Sequence, residues 1–391
     1  MINFVSNLPA DLRSGGFSAM NAAALDVVAK RDTVSYVGPV NPPALAWQKA
    51  LSKLRRVSGL PGNFFQYSER RLARIACEVD ARSAPKAQFD FFHGFTPWVL
   101  TRPRRPYLAW SDCTFRDYID IYHRRGDFCA DDLQRIEQTE ATWMKGARRI
   151  AFTSVWAAER AAQAYNLSRE RIDVVGIFGE SVMPDQDVYA GAKQFTFVST
   201  NFEAKGGRVV LSAFQRVRES DPDATLIIVG EHPPSAKSAP GVIATGFLHK
   251  EDPRENARFR GILATSRALL HPTQSDIAPL VVVEAGYFGC PAISSCRFAI
   301  PELVDHGRTG ILLDDPGDAS IVADSMMAML SSDTRYRAMR EAAWIRSRKA
   351  HSKAAFERRF HAFLEAGDIS LTSADGRIGT PPHWARAAAR A

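Results

Sequence analysis

The sequence predicts an α/β protein of two Rossmann-like, doubly wound parallel-sheet domains. Three observations predict it. The chain has 391 residues, more than one hydrophobic core usually serves, so two domains of about 200 residues are expected. Short apolar strands alternate with amphipathic helical stretches in both halves, the pattern of parallel strands joined by crossover helices. A polar, Gly- and Asp-containing junction at residues 176–193 separates the two series.

In the first series, residues 2–5 read as a strand and 14–16 as a loop. Residues 17–30 are helical on the spacing of Met20, Ala23, Leu25 and Val28. Residues 33–37 form a strand, and 42–82 are mostly helical with a break at Gly59-Leu60-Pro61-Gly62. Residues 89–93 and 107–110 are buried-strand candidates, each ending near a polar residue. Residues 133–146 are helical and 149–153 a strand. A helix over 155–165 is capped by Ser154, and a strand at 172–175 closes the set. The second series begins with a strand at 195–198, a loop at 201–207 and a helix over 208–219 that ends before Asp221-Pro222. Strands follow at 225–229, 242–246, 268–271, 292–295 and 309–313. Residues 336–365 read as one long helical stretch. The tail, 367–391, carries Gly376, Gly379, Pro381 and Pro382, has little apolar periodicity, and is expected to be loose. The expected domains are 1–180 and 190–345, with 346–391 as a C-terminal helix and loose tail.

Composition narrows the function. The net charge is +7, with basic clusters at 102–105, 124–125, 148–149 and 346–353, spread over both halves. No helix-turn-helix, zinc or RNP-like signature accompanies them, so nucleic acid is not expected as a partner. Solvated helix faces account for them, or a peripheral contact with an anionic membrane. The five cysteines form no CxxC pair, which points to a reducing cytosol and away from a disulfide framework or zinc site. No apolar run approaches the roughly 18 residues that span a bilayer, and the N-terminus lacks the pattern of a signal peptide. A cytoplasmic protein is expected, with the inner membrane face as a peripheral station.

The stretch 271–313 carries the chemistry. Asp276 and Glu284 have seven residues between them, and the apolar run Leu280-Val281-Val282-Val283 leads into Glu284. A Gly289-Cys290-Pro291 turn, a short strand, Pro301-Glu302-Leu303-Val304, Gly307 and Gly310 follow. In a doubly wound domain, ligands bind at the carboxyl ends of strands, where a helix N-terminus offers amides to a diphosphate. Carboxylates there suit the vicinal hydroxyls of sugars.

This order resembles the donor-sugar signature of retaining glycosyltransferases of family 4, which carry Glu-x7-Glu in a GT-B fold of two Rossmann-like domains facing across a cleft. The resemblance covers most of residues 1–350 and is strongest over 195–313. It implies that Glu284 holds the donor ribose and Asp276 contacts the donor sugar, with Ala278, Pro279, Leu280 and Val281 alongside. Asp276 is one methylene shorter than the family's glutamate, and Pro279 replaces a common glycine and removes an amide. A second match is Val198 to Gly207. Lys205 and Gly206 match a lysine-glycine pair that holds the diphosphate. The family's arginine position falls on Thr200, or on Asn201 with a shifted gap, so one phosphate cation is replaced. Lys205 with amides of Gly206 and Gly207 is expected to neutralise the departing diphosphate. Phe247 and Leu248 fall where the base is expected.

In the first half, Gly15 and Gly16 resemble a glycine loop that approaches donor phosphate and acceptor; a plain tight turn is the alternative. His93 ends a strand on the acceptor side, where relatives often show histidine; a hydrogen-bonded structural histidine is the alternative. Asp112 stands where many relatives carry a histidine facing the sugar. It is expected either to steady charge on the sugar ring or to cap a helix. Gly179-Glu180 occupies the hinge. The resemblance thus implies a metal-independent, retaining hexosyl transfer from a UDP- or GDP-linked sugar to a glycan, lipid-linked or small-molecule acceptor. It requires no cofactor, because the leaving diphosphate can take the acceptor's proton. Other enzymes of the fold, or a catalytically degenerate nucleotide- or glycan-binding relative, are the rival readings.

Overall fold

A computed structural model describes residues 1–367. Its first series runs β1 (Ile2–Val5), α1 (Phe17–Arg31), β2 (Val34–Val37), α2 (Ala46–Val57), α3 (Glu69–Arg82), β3 (Phe89–His93), β4 (Tyr107–Ser111), α4 (Phe115–Tyr122), α5 (Ala130–Gly146), β5 (Arg149–Phe152), α6 (Val155–Tyr165) and β6 (Ile172–Val174). These strands form a six-stranded sheet in the order β2-β1-β3-β4-β5-β6, parallel throughout.

The second series runs β7 (Gln194–Ser199), α7 (Gly207–Ser220), β8 (Thr225–Gly230), α8 (Pro234–Lys237), β9 (Val242–Gly246), α9 (Pro253–Thr265), β10 (Ala268–His271), α10 (Leu280–Tyr287), β11 (Ala292–Ser295), α11 (Ile300–Leu303), β12 (Gly310–Leu313), α12 (Ala319–Ser331), α13 (Asp333–Ala350) and α14 (Lys353–Gly367). Its six strands order as β12-β11-β10-β7-β8-β9 and are again parallel.

The apolar runs become strands because both faces of a parallel sheet are covered. Every residue of β3, β4 and β10 is buried. Caps fix several helix starts. The Ser154 hydroxyl accepts from the Ala157 amide at 3.1 Å, as its position predicts. Asn166, in the left-handed region at φ 49°, ends α6. Five helices, α4, α8, α9, α11 and α12, fall in stretches that the periodicity leaves unassigned. For α9 a signal existed: the Asp252 carboxylate caps the Arg254 and Glu255 amides, with Pro253 in the first turn.

The long helical stretch expected over 336–365 is two helices. The chain turns at His351-Ser352, and the Ser352 hydroxyl accepts from the Ala355 amide at 3.2 Å. Helix α13 stays against α10, where Gly286 permits an approach that a Cβ would block against Ser347. Helix α14 crosses back to the first sheet. Phe360 packs on Phe91 at 5.6 Å and on Trp110 at 5.8 Å, and Arg359 Nε donates to the Val175 carbonyl at 2.8 Å. Gly367 ends α14 against Leu108; the rest of the tail expected to be loose, 368–391, lies outside the described residues.

Glu140 of α5 is buried and accepts from Thr96 Oγ1 (2.6 Å), the Phe115 amide (2.7 Å) and the Tyr165 hydroxyl (2.8 Å). Burial pushes its carboxyl up from 4.5 to about 7 despite these donors. Between these values the folded chain keeps a proton that the unfolded chain has released, so stability falls as pH rises through this window. Denaturant titrations at about pH 5 and pH 8 should show the wild type losing on the order of 3 kcal/mol more than Glu140→Gln. Equal losses in the two proteins would refute the assignment.

Candidate active site

Each sheet reverses its winding direction once. In the second sheet, β7 leads to β8 and β9 on one side, and β10 to β11 and β12 on the other. The crevice beyond the carboxyl ends of β7 and β10 is therefore where this topology places a ligand. A cavity of about 430 Å³ opens there, between the two sheets. Gly16, Asp112 and Tyr122 line it from the first domain, Glu180 from the junction, and Thr200, Lys205, Phe247, Leu248, Lys250, Asp276 and Glu284 from the second. Ala278, Pro279, Leu280 and Val281 line it too, at the start of α10. Twelve of the sixteen residues singled out in the sequence thus share one cavity wall; Gly15, His93, Asn201 and Gly206 stand outside it.

At the crevice, Lys205 Nζ donates to Asp276 Oδ2 at 2.6 Å and to the Ser275 carbonyl at 3.0 Å. His271 Nε2 lies 3.3 Å from the same Asp276 oxygen. Burial pushes the Asp276 carboxyl up, but the His271 ring and Lys205 ammonium outweigh it, so Asp276 titrates below its usual range. Motif reading missed His271. Its signal was a histidine ending the strand, five residues before the acid.

Glu284, one turn into α10, is buried. Its carboxylate accepts from the Glu180 amide (3.0 Å), the Ser181 amide (3.1 Å) and the Ser181 hydroxyl (3.3 Å). Lys250 Nζ completes the shell at 2.7 and 2.9 Å, and lies 3.6 Å from the Glu180 carboxylate. Glu180 in turn accepts from the Gly16 amide at 2.6 Å. The chain of contacts runs from the glycine loop of the first domain, through the junction, to α10. Lys250 is the second residue that motif reading missed: it sits on the loop after β9, 34 positions from its partner.

The loop after β7 corrects one expectation. The Gly206 amide donates to the Glu203 carbonyl at 3.1 Å, and the Gly207 amide to the Phe202 carbonyl at 2.8 Å. Both are used inside the turn, so neither is left for a diphosphate. Glycine at 206 answers geometry: φ is +84°, and a Cβ would lie 2.4 Å from the Pro272 carbonyl. Asn201 closes the same turn, its side chain accepting from the Ala204 amide at 3.0 Å. The amides of Leu280 and Val281 instead open α10 at the cavity wall, where the first turn has no intrahelical acceptor for them.

The first domain also departs from expectation. His93 is 3% exposed, stacked under Phe17 at 4.8 Å, with Nδ1 3.3 Å from Ser6 Oγ. Burial pushes it down to about 3, so it is neutral, and Phe17 lines the cavity above it. Gly15 is exposed outside the wall, with its amide 3.4 Å from the Glu180 carboxylate. Asp112 does not cap α4; Thr114 does, accepting from the Asp117 amide at 3.2 Å. Asp112 faces the cavity, and burial raises its carboxyl. Among the described residues, no three His, Cys, Asp or Glu side chains gather as a metal-ligand set.

Residues 192–332 match the family described as Glycosyl transferases group 1. The chain is 31% identical over 140 residues to N-acetyl-alpha-D-glucosaminyl L-malate synthase of Bacillus anthracis, covering 34% of this chain and 35% of that protein. It is 25% identical over 226 residues to a D-inositol 3-phosphate glycosyltransferase of Segniliparus rotundus, covering 54% of this chain and 50% of that one. The chain spans about a third to a half of the length of these curated relatives. Among solved structures, Anabaena HepE in complex with UDP-glucose superposes with TM-score 0.64 at 15% identity, covering 94% of this chain and all of that one. Sucrose-phosphate synthase from Thermosynechococcus elongatus superposes with TM-score 0.63 at 12% identity, covering 93% and 98%. The chain therefore has the GT-B fold, and its residues 192–332 are similar to group 1 glycosyl transferases.

Removing Lys250 leaves a buried carboxylate without its cation. Lys250→Met should destabilise the protein by about 2 kcal/mol, and adding Glu284→Gln should recover most of that loss. Chemical denaturation of the two singles and the double reads the coupling; additive losses would mean that the ion pair carries no weight.

Proposed function

We propose that the protein is a glycosyltransferase that moves a hexosyl unit from a nucleotide diphosphate sugar to an acceptor hydroxyl, with retention at the anomeric carbon and without a divalent ion. The observation that carries this reading is the pairing at the switch point of the second sheet: Lys205 on Asp276 and Lys250 on Glu284, in one cavity. The match of residues 192–332 to group 1 glycosyl transferases supports it, as do neighbours of the same fold, one of which was solved with UDP-glucose.

In this reading the nucleotide lies along the second domain. Glu284 accepts the ribose hydroxyls, for which Lys250 must give up part of its hold. Phe247 and Leu248 flank the base. The diphosphate meets the opening amides of α10 and the Lys205 ammonium, and Asp276, released by Lys205, accepts from sugar hydroxyls. Lys250 supplies the second positive charge that Thr200 cannot. The bond from the anomeric carbon to the diphosphate oxygen breaks, and the acceptor oxygen bonds to the same face. The acceptor's proton passes to the departing diphosphate, whose charge the cations and amides stabilise without a metal. Asp112, across the cleft, lies where it can hydrogen-bond the sugar. The first domain shapes the acceptor site, for a glycan, a lipid-linked or a small-molecule acceptor. The five cysteines are free thiols, in keeping with a reducing, cytoplasmic setting.

Titration calorimetry with UDP, GDP and ADP in the presence of a chelator should show binding of one of them. Glu284→Ala and Lys205→Ala should each weaken it about tenfold or more. Proton NMR of the glycosylated product should show the donor's anomeric configuration. Binding of none of the three nucleotides would overturn the reading, and an inverted product would overturn its mechanism.

A further inference from the structure

Three arginines are buried among the described residues: Arg71 at 9% exposure, Arg267 at 3% and Arg340 at 3%. Burying a guanidinium is costly unless an anion meets it. Asp333 meets Arg267 at 3.0 Å, and Asp187 meets Arg340 at 2.6 Å. Arg71, on α3, has only neutral acceptors among the described residues. Its Nε donates to the Pro42 carbonyl at 2.8 Å, Nη1 to the Gln66 carbonyl at 2.6 Å and Nη2 to the Asn41 side-chain oxygen at 2.6 Å. Each Nη carries a further N–H beyond these. Burial holds the Arg71 guanidinium below its ordinary pKa, with Tyr67 opposing the shift and Arg74 adding to it.

Arg71 lines a cavity of about 650 Å³ in the first domain. The loops that leave the carboxyl ends of three strands build its wall: Asn7 after β1, residues 40–44 after β2 and Pro97 after β3. The winding of the first sheet reverses between β1 and β3, so this edge is where a doubly wound sheet holds a ligand. The exposed Lys49 of α2 is a second cation on the wall, and no aspartate or glutamate lines it. Of the acids on α3, Glu69 lies 4.0 Å from Arg135, Glu78 pairs with Arg82 at 2.9 Å, and Asp80 is exposed. The cavity shares no residue with the one between the two sheets, although the loop from β1 to α1 borders both, through Asn7 and Gly16.

A guanidinium fork matches the paired oxygens of a phosphate or a carboxylate. We propose that this cavity is an anion site, separate from the donor cavity, which takes the phosphate or carboxylate group of a small polar molecule on Arg71, with Lys49 as the second cation. The occupant supplies the counter-charge that Asp333 and Asp187 supply to the other two buried arginines. The side-chain amides of Asn7, Asn41 and Gln66 suit hydroxyls on the rest of that molecule. That the anion belongs to the acceptor rests on the proposed sugar transfer; the site itself does not.

Inorganic phosphate should bind the full chain saturably, as read by phosphorus NMR line broadening. Binding should survive in Lys205→Ala, which strips a cation from the other cavity. In that background Arg71→Gln should weaken it about tenfold or more, and Lys49→Glu roughly threefold or more. Lys49 is exposed, so an unchanged melting temperature of Lys49→Glu without phosphate keeps the test sound even where loss of Arg71 loosens the loop after β2. Glucose 6-phosphate should displace the phosphate, and glucose should not. No saturable binding in Lys205→Ala, indifference to both Arg71→Gln and Lys49→Glu, or equal displacement by glucose would overturn the proposal. Offered with a UDP- or GDP-linked sugar, a bound phosphate ester that becomes glycosylated would assign the anion to the acceptor, and one that binds without being glycosylated would be a free effector. Either result supports the site, and failure of the transfer reading would leave the phosphate titration unchanged.

Discussion

A carboxylate buried between two domains is the constraint around which this molecule is arranged. Glu284 is out of water, and an acid there is tolerable only if its oxygens are satisfied by donors and its charge by a cation. The donors come from the junction, through the Glu180 and Ser181 amides, and the cation comes from the loop after β9 as Lys250. Three chain segments far apart in sequence must therefore meet at one point. Glu180 extends the set to the glycine loop of the first domain. The fit of α10 against the junction follows, with Tyr287 receiving the Gly179 amide at 2.8 Å.

The same arrangement gives the cleft its chemical character. Both lysines of the cavity wall are neutralised by carboxylates, Lys205 by Asp276 and Lys250 by Glu284. Such pairs hold their charges in place ahead of any ligand, which limits reorganisation when an anion and a polyhydroxyl group enter together. On the proposed transfer, a diphosphate would compete for the ammoniums and hydroxyls for the carboxylates, so the two halves of a nucleotide sugar would open the two pairs in concert. The crossing of α14 to the first sheet ties the far end of the chain to the near one, and its phenylalanines share a core with Phe91 and Trp110.

Much of this was legible in the residues, for a physical reason. Strands of a parallel sheet are buried on both faces, so they write themselves as continuous apolar runs, and β3, β4, β7, β8 and β10 are all found where those runs lie. Asp276, Glu284 and Lys205 were legible because a local spacing places them on adjoining loops and one helix turn. Helices α4, α8 and α11 were not assigned, since eight residues or fewer are too short a span for periodicity to stand out. The break at Ser352 was hidden because serine suits both a helix surface and a cap.

By itself, then, the sequence determined the two parallel sheets, the polar junction and the placing of most cavity residues at strand ends, all of which follow from local burial and turn chemistry. Tertiary structure decided what those residues face. Only folding brings Lys250 to Glu284 and turns the amides of Gly206 and Gly207 into their own turn. It also seals His93 beneath Phe17 and leaves the apolar side of α2 to water. A partner's distance in space is set by the packing of whole elements, and no window of neighbouring residues contains it.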